Sequence, residues 1–188
     1  MAVSSVVKLE TDRLLLRRYT RDDAESYLSM WRENGEHLRE FIPDAVARVR
    51  SVADMAKHIE WMDAERAAER LFIFGAWSER GAYIGEVYMG SRSLDFREFE
   101  LGYFLVRDAV GHGFATEATQ RLIDFAFQDL NVSRLTAHIA ADNVASVAVA
   151  TRCGFHFLVR QAGGRRTKEG TFVDLLLYGL TPPTADGR

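Results

Sequence analysis

The run from Leu101 to Ala118, LGYFLVRDAVGHGFATEA, constrains this chain more than any other stretch. It reads as a strand, a turn holding Gly111 and Gly113, and a helix that begins without delay. Glycine lets the backbone approach a ligand closely. The first turn of a helix presents unpaired N–H groups at the positive end of its dipole. Together these features predict a site for a phosphate or pyrophosphate. Two nucleotide-binding patterns fail on spacing. A dinucleotide fingerprint needs a third glycine where Thr116 stands, and the Gly-Lys-Ser/Thr of a P-loop is absent.

The rest of the chain supplies a mixed framework. Thr20-Arg21-Asp22-Asp23 is a capping signal, and after it Ala24, Tyr27, Leu28 and Trp31 repeat at helical spacing until Asn34-Gly35. Ser51 and Asp54 open a second helix, with Val52, Met55, Ala56, Ile59 and Met62 expected on one side. Between these helices Phe41-Ile42-Pro43 is an apolar island, either a plug for the core or a substrate contact. Leu14, Leu15 and Leu16 read as a short buried strand. Residues 71–77, 83–89 and 97–106 are rich in aromatic and β-branched types and read as an antiparallel meander, turning at Glu79-Arg80-Gly81 and over 90–95. Then follow a helix over 116–130, a strand over 135–140, a helix over 144–152 closed by Gly154, and strands over 155–160 and 172–180 joined by a loop over 163–170. No repeat or interdomain linker interrupts this order, which predicts one α+β domain over 1–181 and a frayed tail over 182–188.

Composition narrows the class of function. A chain of 188 residues builds a core without staples, and its lone Cys153 excludes a disulfide framework. A net charge of −3 and a pI near 6.0 argue against a sequence-independent nucleic-acid binder. There is no apolar run of about 18 residues to cross a membrane, and the first seven residues are too short for a secretion signal. A soluble, cytoplasmic protein is expected. His37, His58, His112, His138 and His156 lack metal-ligand spacing, so each reads as structural and no metal is expected. His112, inside the glycine turn, has a phosphate contact as its alternative.

Three further runs accompany the glycine turn. Leu9-Glu10-Thr11-Asp12-Arg13-Leu14 leads into Tyr19-Thr20-Arg21-Asp22-Asp23-Ala24. Gly85 stands one strand before Glu100-Leu101-Gly102-Tyr103. Downstream, Asp142-Asn143-Val144-Ala145-Ser146 runs on to Gly154-Phe155. With these the chain resembles the GCN5-related N-acetyltransferases (GNAT), and within them the RimJ/RimL-like ribosomal-protein N-terminal acetyltransferase branch. The resemblance covers nearly the whole chain. It implies the GNAT fold: a mixed sheet of about seven strands with an antiparallel N-terminal half, flanked by about four helices and splayed between strands four and five. It implies acetyl-CoA as cosubstrate, its pyrophosphate held by Val110, Gly111, His112, Gly113, Phe114, Ala115 and Thr116. It gives Asn143 the pantetheine arm, and a backbone N–H near Leu105 or Val106 the developing oxyanion. Val110 departs from the Gln, Arg or Trp common in the family, a modest change where backbone groups do the holding. Members of the branch are often dimers, which makes a homodimer an expectation.

Acetyl transfer to an amine needs a neutral amine, a donor for the oxyanion and a proton for the departing thiolate. At pH 7 about a tenth of a free α-amine is neutral, against under about a thousandth of a lysine side chain. Glu100 is the first candidate for the base, directly or through a water. Alternation puts it on one strand face with Phe104 and Val106, beside the space left by Gly102. Spacing alone favours an ion pair with Arg97 or Arg107; the family's use of a Glu here reverses that in favour of the base. Glu86 competes, with Ile84 and Tyr88 expected on its face. Ser146 reads as a helix cap from spacing, and as the thiolate's acid from the resemblance. Relatives carry Ser or Tyr there, and no Tyr lies between Asp142 and Gly154. Cys153, at a helix C-terminus, is poorly placed for an acyl-enzyme.

The implied acceptor is a protein or peptide N-terminal α-amine. The alternatives are a small amine (a polyamine, an amino-acid conjugate or an aminoglycoside) and, from another class, a catalytically silent acyl-CoA-binding module. Trp31, Phe41, Trp61, Trp77 and Tyr88 are the candidate aromatic lining of the acceptor pocket. Arg165-Arg166-Thr167-Lys168 reads as a solvated loop or as an attractor of an acidic acceptor.

Overall fold

Thr20 and Ser51 start helical segments as their spacing predicts. The amide of Thr20 donates to Asp23 at 2.7 Å and that of Ser51 to Asp54 at 3.0 Å, each cap answered by the acid three residues on. One helical turn and then α1 (Ala24–Glu33) follow Thr20, and α2 (Val52–Ala67) follows Ser51. Tyr27, Leu28 and Trp31 of α1 pack with Met55, Ile59 and Met62 of α2. Val52, in the first turn, stays exposed instead of joining that side. This is a computed structural model describing residues 8–35, 49–167 and 170–183; Phe41-Ile42-Pro43 lies outside them.

The sheet contains eight strands among the described residues: β1 (Lys8–Glu10), β2 (Leu14–Arg17), β3 (Leu71–Ser78), β4 (Tyr83–Ser93), β5 (Glu98–Leu105), β6 (Arg134–Ala140), β7 (His156–Arg166) and β8 (Phe172–Leu180), in the order β1-β2-β3-β4-β5-β6-β8-β7. The extra strand beyond the expected seven comes from Thr11. Its hydroxyl accepts the Leu14 amide at 2.8 Å, folding the N-terminal run into a hairpin. β7 runs to Arg166, past its expected end, because a bulge after Gln161 lets the Gly163 amide donate to Asp174 at 2.8 Å. α3 (Phe114–Asp124) starts two residues earlier than expected and ends in a π-helical turn, Phe125–Asp129, where the Leu130 amide reaches the Phe125 carbonyl. α4 (Val144–Arg152) stops at Gly154, φ +86°, with the Phe155 amide folded back onto Ala150 at 3.0 Å.

Helices cover both faces. Phe72, Phe74, Phe99, Leu122, Phe125 and Leu135 fill the α3 side, while Tyr19, Trp31 and Phe104 join α1 and α2 on the other. Each such side chain contributes about 1.5–3 kcal/mol by leaving water. Two irregularities in the sheet position everything functional. Trp77 pairs with Tyr83 and Ala76 with Gly85, so Ile84 is an inserted residue and β4 bulges there. Ile84 therefore joins Val87 and Met89 on the α3 side, not Glu86 and Tyr88 as alternation predicts. The other irregularity is a parting of strands. Among the described residues β5 and β6 form the one parallel pair, in register only from Glu98 to Glu100, whereas β5 stays paired with β4 as far as Leu105. Beyond Glu100 the sheet is open.

Candidate functional site

A cavity of about 600 Å³ occupies the opening between β5 and β6. Tyr88, Glu100 and His138 line it from the α1/α2 face, and Tyr103, Asn143 and Ser146 from the α3/α4 face, so it reaches both sides of the sheet. Glu100 faces the cavity as expected, but its charged neighbours are not Arg97 or Arg107. Arg92 stands 3.5 Å from one carboxylate oxygen, and His138 Nδ1 3.1 Å from the other. Arg97 instead reaches Glu69 at 3.5 Å. The space above Gly102 is filled by Tyr88 from the facing strand; a Cβ on Gly102 would come within 2.5 Å of the Tyr88 hydroxyl. Burial pushes the Tyr88 phenol up to about 12, with the charges of Glu86 and Glu100 adding.

Glu86, the rival carboxylate, does not line this cavity. It is buried beneath α1, where the Tyr27 hydroxyl donates to it. Tyr19 stacks on Tyr27 with centroids 3.8 Å apart, and its hydroxyl meets that of Tyr83 at 2.7 Å. Burial lifts the Glu86 carboxyl to about 7, against the lowering by the tyrosine hydrogen bonds.

Across the sheet, Asn143 caps α4 by accepting the Ser146 amide at 3.0 Å. The Ser146 hydroxyl accepts a hydrogen bond from Tyr103 at 3.0 Å. Tyr103 is a residue the sequence reading did not find. No tyrosine lies near Ser146 along the chain, and β5 delivers one. Burial raises the Tyr103 pKa, the Ser146 contact lowering it in part.

Gly111 and Gly113 both take left-handed φ, +87° and +80°, and Gly113 is the N-cap residue of α3. No side chain caps that helix, and the Glu117 amide makes the first return bond, to Gly113 at 3.1 Å. The amides of Phe114, Ala115 and Thr116 thus head the helix without intrahelical acceptors. A Cβ on Gly111 would meet only open space. Arg13, also missed, braces this turn: its guanidinium donates to the His112 carbonyl at 3.1 Å, pairs with Glu117 at 2.5 Å and lies over the Phe114 ring. Free amides, open space and a cation suit the pyrophosphate of acetyl-CoA. Val110 is exposed at the turn's start, and His112 tilts against Phe114.

The Val106 amide donates to the Ile84 carbonyl at 3.0 Å, which removes it from the two oxyanion candidates. Ladder alternation then turns the Leu105 amide toward β6. Cys153 is buried, its thiol pushed up to about 11, and its sulfur lies against the Thr116 carbonyl at 3.7 Å. Burial and the raised pKa oppose the thiolate that a nucleophile needs. Of the aromatic candidates only Tyr88 lines the cavity; Trp31 and Trp77 pack in the α1/α2 core, Trp61 stacks on His58 at the surface, and Phe41 is outside the described residues. Among the described residues no cluster could hold a metal, and no helix is long and apolar enough to cross a membrane.

Residues 13–156 match the family of the acetyltransferase (GNAT) domain. In sequence the chain is similar to the uncharacterized N-acetyltransferase p20 of Bacillus licheniformis, with 29% identity over 175 residues, covering 92% of this chain and 94% of that one. In fold it is similar to RimL, a ribosomal L7/L12 α-N-protein acetyltransferase solved in complex with coenzyme A (TM-score 0.84, 18% identity, 93% of this chain and 97% of that one). It is likewise similar to a ribosomal-protein-S5-alanine acetyltransferase from Vibrio fischeri (TM-score 0.83, 20% identity, 95% and 98%).

Proposed function

The chain belongs to the acetyltransferase (GNAT) domain family, whose members move an acetyl group from acetyl-CoA to an amine, and from that premise we propose that its acceptor is the α-amine of a protein or peptide N-terminus. The observation that carries the reading is the cavity through the parted strands, with Glu100 on one face and Ser146 on the other. Two chemically opposite tasks, taking a proton and giving one, are thereby kept on opposite sides of the sheet. The α-amine is favoured because far more of it is neutral near pH 7 than of a lysine. The fold's likeness to RimL and to the S5-alanine enzyme supports the same choice.

When bound, acetyl-CoA supplies a thioester carbonyl open to attack and a thiolate as leaving group. The glycine turn and the α3 amides hold the pyrophosphate, with Arg13 fixing the turn. Asn143 orients the pantetheine arm from the start of α4. The Glu100 wall receives the amine proton, and the Ser146 hydroxyl, resupplied by Tyr103, gives one to the departing sulfur. Preorganised donors of this kind need no rearrangement during reaction. The residues from 1 to 181 act as one catalytic domain.

Turnover measured by product mass across peptides, polyamines and aminoglycosides tests the acceptor. Peptides with a free α-amine are expected to react at least about tenfold faster than the small amines, following the neutral fraction. Faster acetylation of a polyamine or an aminoglycoside overturns the acceptor class.

A further inference from the structure

We propose that His138 is the group that takes the proton from the acceptor amine, and that Glu100 is its positioning residue. The inference rests on the acetyl-transfer reading and names the base within it. β5 and β6 lose their register after the pair Glu100 and Thr136, and His138 is the next residue of β6 on that face. The side chains bridge the gap the backbones leave: His138 Nδ1 lies 3.1 Å from Glu100 Oε1. The contact lies off the direction of a hydrogen bond, and among the described residues the buried Nδ1 has no hydrogen-bond partner. At 3.1 Å a small rotation of either side chain lets Nδ1–H donate to Glu100, the arrangement that leaves the Nε2 lone pair for the amine. Both side chains line the cavity, 22% and 33% exposed, so a bound amine has access to the ring.

The chemistry favours the ring over the carboxylate as first acceptor. Imidazole is the side chain whose ordinary titration falls nearest neutral pH, where a base is most effective. Arg92, 3.5 Å from Glu100 Oε2, holds the other end of the carboxylate. In the step, the amine nitrogen forms its bond to the acetyl carbon as the carbon–sulfur bond breaks. The amine proton passes to His138 Nε2, the resulting imidazolium is held by Glu100, and the sulfur takes its proton from Ser146, which takes one from Tyr103 in turn; proton exchange with solvent in the cavity then returns the imidazolium and the tyrosinate to neutral. Among the described residues the charged or titratable groups that line the cavity with the ring are Glu100 and Tyr103 from β5, Tyr88 from β4, and Arg165 and Arg166 from β7, and Arg92 of β4 stands behind Glu100. β8 meets β6 here through Leu177, which is apolar.

The test compares wild type, His138→Gln, His138→Ala and Glu100→Gln by thiol release, with thermal melting and acetyl-CoA binding as controls. His138→Gln is expected to lose about a hundredfold in turnover with acetyl-CoA affinity within about twofold of wild type. Free imidazole should restore part of the activity of His138→Ala, and Glu100→Gln combined with His138→Gln should fall no further than the worse single variant. A folded His138→Gln that keeps turnover within about threefold overturns the assignment. If that variant fails to fold, absence of imidazole rescue in folded His138→Ala overturns it instead. A wild type that acetylates no amine defeats the transfer reading itself, a result distinct from unimpaired His138 variants.

Discussion

Glu86 and Glu100 stand on the same face of adjacent strands, yet one lies under a helix and the other at an opening. Above β4, Tyr27 of α1 and Tyr19, just after β2, lie over Glu86, and burial lifts its carboxyl to about 7. Above β5, where β6 has parted, Glu100 meets His138, Arg92 and a cavity. The raised pKa belongs to the carboxylate that does not line the cavity. A perturbed group points to function only when something can reach it, and access here is set by where two strands lose their register. The bulge at Ile84 divides β4: Ile84 turns to the α3 side, and Glu86 stays on the face it shares with Tyr88 and Glu100, where Tyr27 covers it.

The largest expected effect comes from breaking that divide. A Cβ on Gly85 would run into the Phe104 carbonyl and the Leu105 Cα, backbone atoms that cannot step aside, at φ +154°. Gly85→Ala should cost about 3 kcal/mol or more in chemical denaturation. A cost under about 1 kcal/mol would show that the bulge is not held by this approach.

Next in size is the pH dependence that Glu86 imposes. Its folded pKa, about 7, lies above the ordinary 4.5. Below the ordinary value both folded and unfolded chains hold the proton. Through the window up to about 7 the unfolded chain releases it first, so stability falls as pH rises and levels off above. Glu86→Gln should remove on the order of 2–3 kcal/mol of that fall, gaining on wild type at about pH 8 and little at about pH 4.5. An equal gain at both pH values would contradict the burial of an ionisable group.

The smallest of the three concerns the cofactor end. Gly113→Val places a side chain at φ +80°, beside Arg13 and against the backbone's approach to phosphate. It should raise the Michaelis constant for acetyl-CoA about tenfold with little change in turnover at saturation. A fall in turnover alone would move the pyrophosphate site elsewhere.

Much of this was legible in the residue order because the signals are local. The capping pairs Thr20 with Asp23 and Ser51 with Asp54, the glycine turn opening α3, and Gly154 closing α4 each depend on neighbours a few residues away. Parts of the candidate site were not legible, because they are made by contacts between distant elements. Tyr103 meets Ser146 across 43 positions, Tyr88 fills the room above Gly102, and His138 reaches Glu100 from the next strand. The burial of Glu86 is of the same kind, made by Tyr27 from 59 positions away, while the bulge moves Ile84 off the face that strict alternation gives it.

The contrast between the two carboxylates is tested most directly by measuring turnover at saturating acetyl-CoA for Glu100→Gln and Glu86→Gln side by side, with thiol release as the readout. Glu100→Gln is expected to lose at least about tenfold while still binding acetyl-CoA, and Glu86→Gln to stay within about threefold of wild type. The reverse pattern, with Glu86→Gln impaired and Glu100→Gln near normal, would place the proton's path beneath α1 and contradict the account.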